Sequence, residues 1–158
     1  MRKVALLVGS CAALAAVATA AAATPAAPAG KPALVLHYLD INTNFATNWP
    51  QNRAPQFGDQ GLFQDKIYTW QGAKRGRLVG HLNGTIIFLN AQLTRISVVA
   101  TIPGGTIDVF GDSGESRVTT YSVLGGTGRY ANMRGEAIVR TLGSPDSNND
   151  SVTIKLWR

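Results

Sequence analysis

From residue 33 onward the chain never holds a helical repeat of apolar residues over ten positions. Short runs of β-branched and aromatic residues recur instead, each closed by Gly, Pro, Asn or Asp. Eight such runs can be drawn, over residues 34–41, 62–70, 77–89, 92–102, 106–110, 118–124, 136–142 and 151–157. Strands this short and this regularly punctuated argue for an all-β barrel or sandwich. Closure decides for a barrel, because an exported sheet with bare edges and no disulfide invites aggregation. The expected fold is one eight-stranded antiparallel closed β-barrel over residues 33–158. Such a barrel is just wide enough to be filled by side chains or to hold one small ligand.

The residues ahead of the barrel look like a targeting segment. Arg2 and Lys3 precede an uncharged stretch of apolar and small residues over 4–23, which ends in Ala21-Ala22-Ala23 before Thr24. Residues 1–23 are therefore expected to be a cleaved signal peptide, and residues 24–32 a Pro/Ala-rich linker. A membrane anchor is the competing reading, but the later half of the stretch is mostly alanine and no basic stop-transfer cluster follows it. The only cysteine, Cys11, lies inside this segment in a poor lipid-attachment context. The mature chain then has no thiol nucleophile and no Cys-ligated metal. A secreted protein is expected, with no membrane partner once the signal is removed.

Charge points to no polyanionic partner either. The signal holds two of the fifteen Lys and Arg, so thirteen against nine Asp and Glu leave the mature part near +4. The one basic cluster, Lys74-Arg75-Gly76-Arg77, reads as a solvated, Gly-rich hairpin loop. It lacks an aromatic platform, so no nucleic-acid partner is expected.

Several motif-like strings carry little chemistry. Gly111-Asp112-Ser113-Gly114 resembles the nucleophile segment of trypsin-like proteases, but the chain is too short for the second barrel such enzymes need, and a β-turn is expected there. Gly125-Gly126-Thr127-Gly128 lacks the Lys-Ser/Thr of a phosphate loop and is read as a tight turn, with φ > 0 at Gly126 and Gly128 and Tyr130 packed against the barrel. The segment 146–150 alternates oxygen ligands like a calcium loop but lacks the distal Glu, and a polar hairpin loop is expected. His37 and His81, the only histidines, fall in separate strands, so no metal centre is expected.

The first strand is the most informative. Alternation places Leu34, Leu36, Tyr38, Asp40 and Asn42 on one face, with Val35, Leu39 and Ile41 opposite. The first face begins apolar and ends in a carboxylate and an amide, the pattern of an apolar cavity with polar groups at its mouth. Asp40 and Asn42 read equally well as the start of a long polar loop over residues 42–59. The apolar outer face is expected to be covered in a homo-oligomer.

These residues also carry a family resemblance. The segment 58–68, with Gly58-Asp59, Phe63 and Ile67-Tyr68, resembles the G-D-x-x-x-F-x-x-x-[LI]-Y stretch of plant allene oxide cyclases. Val79-Gly80 with Gly84, followed by Gly125-Gly126-Thr127-Gly128-Arg129-Tyr130 and Gly135, is similar to both allene oxide cyclases and dirigent proteins. The resemblance spans most of residues 35–157. It implies an antiparallel barrel, commonly trimeric, that binds a small hydrophobic molecule and guides its cyclisation or coupling without a cofactor. Asp40-Ile41-Asn42 looks like the cyclases' Glu-Ile-Asn, which implies catalytic roles for Asp40 and Asn42. The resemblance implies Pro50 and Ile86 as ligand-binding residues, and Tyr38 and Leu36 join them from the alternation of the first strand. Ile86 stands where the cyclases have a cavity cysteine, and His81 where dirigent proteins typically have Arg. A homo-oligomer, trimer ahead of dimer, is implied. A non-catalytic secreted barrel that binds a small ligand, or serves a structural role, remains the second reading.

Overall fold

The computed structural model describes residues 30–50, 52–72, 74–143 and 149–158. The expected signal peptide, nearly all of the linker and residues 144–148 of the calcium-like segment lie outside them. Eight strands follow in chain order: β1 Leu34–Thr47, β2 Gln60–Gln71, β3 Lys74–Phe88, β4 Thr94–Ile102, β5 Gly105–Ser113, β6 Val118–Gly126, β7 Arg134–Thr141 and β8 Asn149–Trp157. Each pairs antiparallel with its neighbour in sequence, and β8 returns to β1, closing the barrel as expected. Closure removes the edges of the sheet everywhere except along the projecting β2–β3 hairpin.

Several expected boundaries need correction. The first strand does not give way to a loop at Asn42 but runs on to Thr47. It does so through a bulge, because Asn42 pairs with Asp65 and Asn44 with Gln64, leaving Thr43 as the extra residue. A bulge of one residue inverts the alternation beyond it, which turns Phe45 inward beside its partner Phe63. Lys74, Arg75 and Arg77 are not in a loop but open β3, and Gly111–Ser113 close β5 rather than forming a turn.

The two ends of the barrel differ. The β2–β3, β4–β5 and β6–β7 connections share one end, and the core plugs it. Ile107 and Leu156 are fully buried there, with Ile102, Val123, Tyr130 and Met133 nearly so. Tyr130 comes from a single 3-10 turn, Gly128–Tyr130, and its hydroxyl donates to the Pro103 carbonyl at 2.8 Å, tying the β6–β7 connection to the β4–β5 turn. Gly128 has φ +58°, as expected. Gly126 does not have a positive φ; Gly125 does, at +155°. Gly126 is needed for a different reason: a Cβ there would lie 2.1 Å from the Thr106 carbonyl oxygen. The opposite end is open, and it is where the site lies.

Candidate functional site

Inward-facing side chains do not fill the barrel. A cavity of about 140 Å³ remains, walled by Ile67, Leu82, Val98, Ala100, Val109, Val139 and other aliphatic side chains. Among the described residues its polar lining consists of Tyr38, Asp40, Asp65, Tyr121 and Asp150, with no Lys, Arg or His. Three carboxyl groups thus face one apolar space without a counter-cation.

The sheet register brings the three together. Asp40 on β1 sits directly opposite Asp150 on β8, and Asn42 opposite Asp65 on β2. Asn42 Nδ2 donates to Asp65 Oδ1 at 2.6 Å. Asp40 is hydrogen-bonded to Asp65 as well, an arrangement open to two carboxyl groups only when one of them keeps its proton. Burial, then the Asp65 charge, push the Asp40 pKa up to about 9. Burial also raises Asp65 and Asp150, but Asp65 is partly relieved by the hydrogen bonds from Asp40 and Asn42. Within the pair the proton therefore sits on Asp40, which donates to Asp65. Oδ1 of Asp40 and Oδ1 of Asp150 are both buried without a hydrogen-bond partner. Such a loss is costly unless a ligand or water supplies a donor.

Tyr38 lies deeper, towards the plugged end. Its hydroxyl bonds to Tyr130, and burial pushes its pKa up to about 12, so it stays protonated. Above the carboxyls, Asn42, Phe45, Phe63, Asp65, Ile86, Ile96 and Asp150 line a second space of about 250 Å³ that forms the mouth. Phe45, Trp49 and Phe88 make an aromatic rim beside it, Trp49 meeting Phe88 edge-on at 5.1 Å.

Of the residues singled out from sequence, Tyr38 and Asp40 line the inner cavity. Asn42 and Ile86 line its mouth, which puts Ile86 at the opening rather than deeper along the wall. Leu36 packs half-buried against the core at the plugged end and lines neither space, and Pro50 is exposed and lines neither. Both were expected at the ligand. Leu36 lies one alternation step too deep, and Pro50 sits on the β1–β2 connection outside the mouth. Sequence reasoning missed Asp65 and Asp150. Asp65 stands between Phe63 and Ile67 on the inward face of β2, and Asp150 opens the inward series Val152, Ile154, Leu156 of β8, so alternation was the signal for both. His37 is exposed and bonded to Thr153, and His81 is exposed. Among the described residues, no group of three or more His, Cys, Asp or Glu is arranged to hold a metal ion.

Comparison with known proteins agrees with this geometry. The family described as dirigent-like protein matches residues 37–156. No curated protein matches the chain in sequence. Among solved structures, a pyocyanin demethylase is 23% identical with a TM-score of 0.65, covering 78% of this chain and 100% of its own. A pterocarpan synthase dirigent protein is 15% identical with a TM-score of 0.65, over 78% of this chain and 86% of its own. An exo-specific intermolecular Diels-Alderase is 17% identical with a TM-score of 0.59, over 77% of this chain and 96% of its own. At these identities the likeness is one of fold.

Proposed function

The chain belongs to the dirigent-like family, and on that premise we propose that it captures a small, largely apolar organic molecule in the barrel and guides its cyclisation or coupling. The observation that carries this reading is the apolar cavity with three carboxyl groups and no cation in its wall. The inner space is close to the roughly 150 Å³ that accepts a benzene ring in a packed protein interior. One ring, or a group of that size, fits inside, and the rest of a larger molecule extends into the mouth between Phe45 and Ile86.

Asp40 is the group that acts on the ligand. Its proton is held in the hydrogen bond to Asp65, which Asn42 steadies, and its unpartnered Oδ1 accepts a hydrogen bond from a hydroxyl or amine of the ligand and so orients it. The apolar wall excludes water and holds the reacting parts in one relative geometry, the main contribution open to a site of this kind. No step in this scheme calls on a cofactor. Export through residues 1–23, outside the described residues, would place the barrel outside the cell.

Ring-sized probes test the reading. Phenol and aniline can offer a donor to the free oxygens of Asp40 and Asp150, whereas benzoate would bring a fourth carboxyl group into the same space. Thermal-shift titration should show stabilisation by phenol or aniline and none by benzoate. Stabilisation by benzoate alone, or by none of the three, would count against the cavity as a binding site.

Assembly belongs to the same proposal. Val35, Leu62, Val99, Phe110 and Leu124 point out of the barrel and are each more than a third exposed. Leu39, also on the outer side of β1, is buried already. A homo-oligomer, trimer ahead of dimer, would cover this apolar surface. Light scattering at micromolar protein should give a mass well above the single chain's, and a monomer mass would end this part of the reading.

A further inference from the structure

We propose that the plugged end of the barrel docks on an anionic lipid surface through the β2–β3 hairpin, with Lys74, Arg75 and Arg77 supplying the charge and Leu78 and Trp70 the apolar anchor. Charge along the barrel axis is segregated. The stretches that form the plugged end, residues 30–33, 70–80, 102–106, 125–134 and 156–158, contain seven Lys and Arg and no Asp or Glu. At the mouth end the carboxyl groups collect instead, and two of the cations there are already used, Arg53 by Asp59 and Arg95 by Asp112. Among the described residues, none of the seven cations of the basic end stands in an ion pair.

The hairpin that carries three of these seven cations, the largest group of them, stands free of the barrel wall. Pairing of β2 with β1 ends at Thr69–Tyr38, and pairing of β3 with β4 begins only at His81–Thr101. Beyond those points Trp70 pairs with Arg75 and Gln71 with Lys74, and residues 74–79 of β3 have sheet partners on β2 alone. Every described residue from Gln71 to Leu78 is exposed, Leu78 to 56%. Arg75 lies over the Tyr68 ring, 5.1 Å from its centroid, which holds the guanidinium at the surface beside half-buried Trp70.

A soluble polyanion would use the cations alone. The exposed Leu78 and the Trp70 ring at the same tip suit an interface with an acyl layer beneath the charge, where aromatic and basic side chains settle together. The mouth then faces away from the lipid, towards solution. This departs from the expectation of no membrane partner, which rested on removal of residues 1–23.

Co-sedimentation with lipid vesicles tests the proposal independently of any activity in the cavity. The protein should sediment with vesicles containing phosphatidylglycerol and stay in solution with phosphatidylcholine alone, and salt should release it. The triple variant Lys74→Glu, Arg75→Glu, Arg77→Glu should bind at least about tenfold more weakly. Leu78→Ser should also weaken binding, at unchanged charge. If the triple variant melts early, Lys74→Gln, Arg75→Gln, Arg77→Gln carries the same expectation. Equal binding of wild type and charge variant overturns the proposal. So does an unchanged Leu78→Ser variant with heparin competing fully, which would identify a site for soluble polyanions.

Discussion

Asp40→Asn is expected to raise the melting temperature at pH 8 by about 5–10 °C and to change it little at pH 4. Asp40 ionises near its ordinary value of 3.8 in the unfolded chain and near 9 in the barrel. Between those two values the unfolded state is charged and solvated, while the folded state still binds the proton. The stability associated with Asp40 is therefore fully present below about pH 4 and is lost progressively as pH rises towards 9. At about 1.4 kcal/mol per pH unit the upper bound is several kcal/mol, and the proton shared with Asp65 reduces it. The amide cannot ionise, yet it keeps the shape of the carboxyl and a donor for Asp65, so the variant escapes the loss. The surface pairs Arg53–Asp59 and Arg95–Asp112 act in the opposite sense, because their carboxyls are lowered and lose their stabilising charge on acidification. They are solvent-screened and contribute little, so the pH profile should tilt towards acid. Thermal melts from pH 4 to pH 9 decide the matter. Parallel curves for wild type and variant would mean that Asp40 is not held protonated. Stabilisation combined with loss of any coupling or cyclisation activity would identify a group kept for chemistry at the expense of stability.

How much of this was legible in the sequence depended on whether two-residue alternation stayed intact. Along β4, β5 and β6 it does so well enough for the strands and the barrel to be read directly, and the inward set Ile96, Val98, Ala100, Ile102 is visible by eye. In β1 the same rule found Tyr38 and Asp40 but lost its phase at Thr43, where the bulge turns Phe45 into the mouth. Nothing in Asn42-Thr43-Asn44 announces that bulge, since polar residues at a strand's end look like the start of a loop. Asp65 and Asp150 were hidden for another reason. A carboxyl among apolar neighbours is normally assigned to the solvated face of a strand, and only the register that sets Asp40 against Asp150 and Asn42 against Asp65 shows that the three share an interior. The basic end was visible only in part, as the cluster Lys74-Arg75-Gly76-Arg77. The seven cations of that end are spread along the chain and meet only because alternate hairpins turn at one end.

Gly128→Val is expected to cost about 3–5 kcal/mol, lowering the melting temperature by some 10–15 °C. Gly128 occupies the left-handed region, φ +58°, where a β-branched side chain is strained whatever space surrounds it. Space is also lacking, because a Cβ there would lie 2.2 Å from the Gly104 carbonyl oxygen, which accepts the Arg129 amide at 2.7 Å. Neither group can yield cheaply, since both belong to backbone. Moving them would withdraw Tyr130, whose ring closes this end of the core and whose hydroxyl is tied to Pro103. Asn132 supplies the internal comparison. It too has a positive φ, 61°, but asparagine tolerates that conformation and the residue is exposed, so Asn132→Gly should be nearly neutral. A large loss at residue 128 with little change at residue 132 shows that the β6–β7 connection needs glycine at residue 128, where strain and the Gly104 contact act together. Equal, small changes at both positions would show that the β6–β7 connection does not seal the barrel, and the cavity would then be open at both ends.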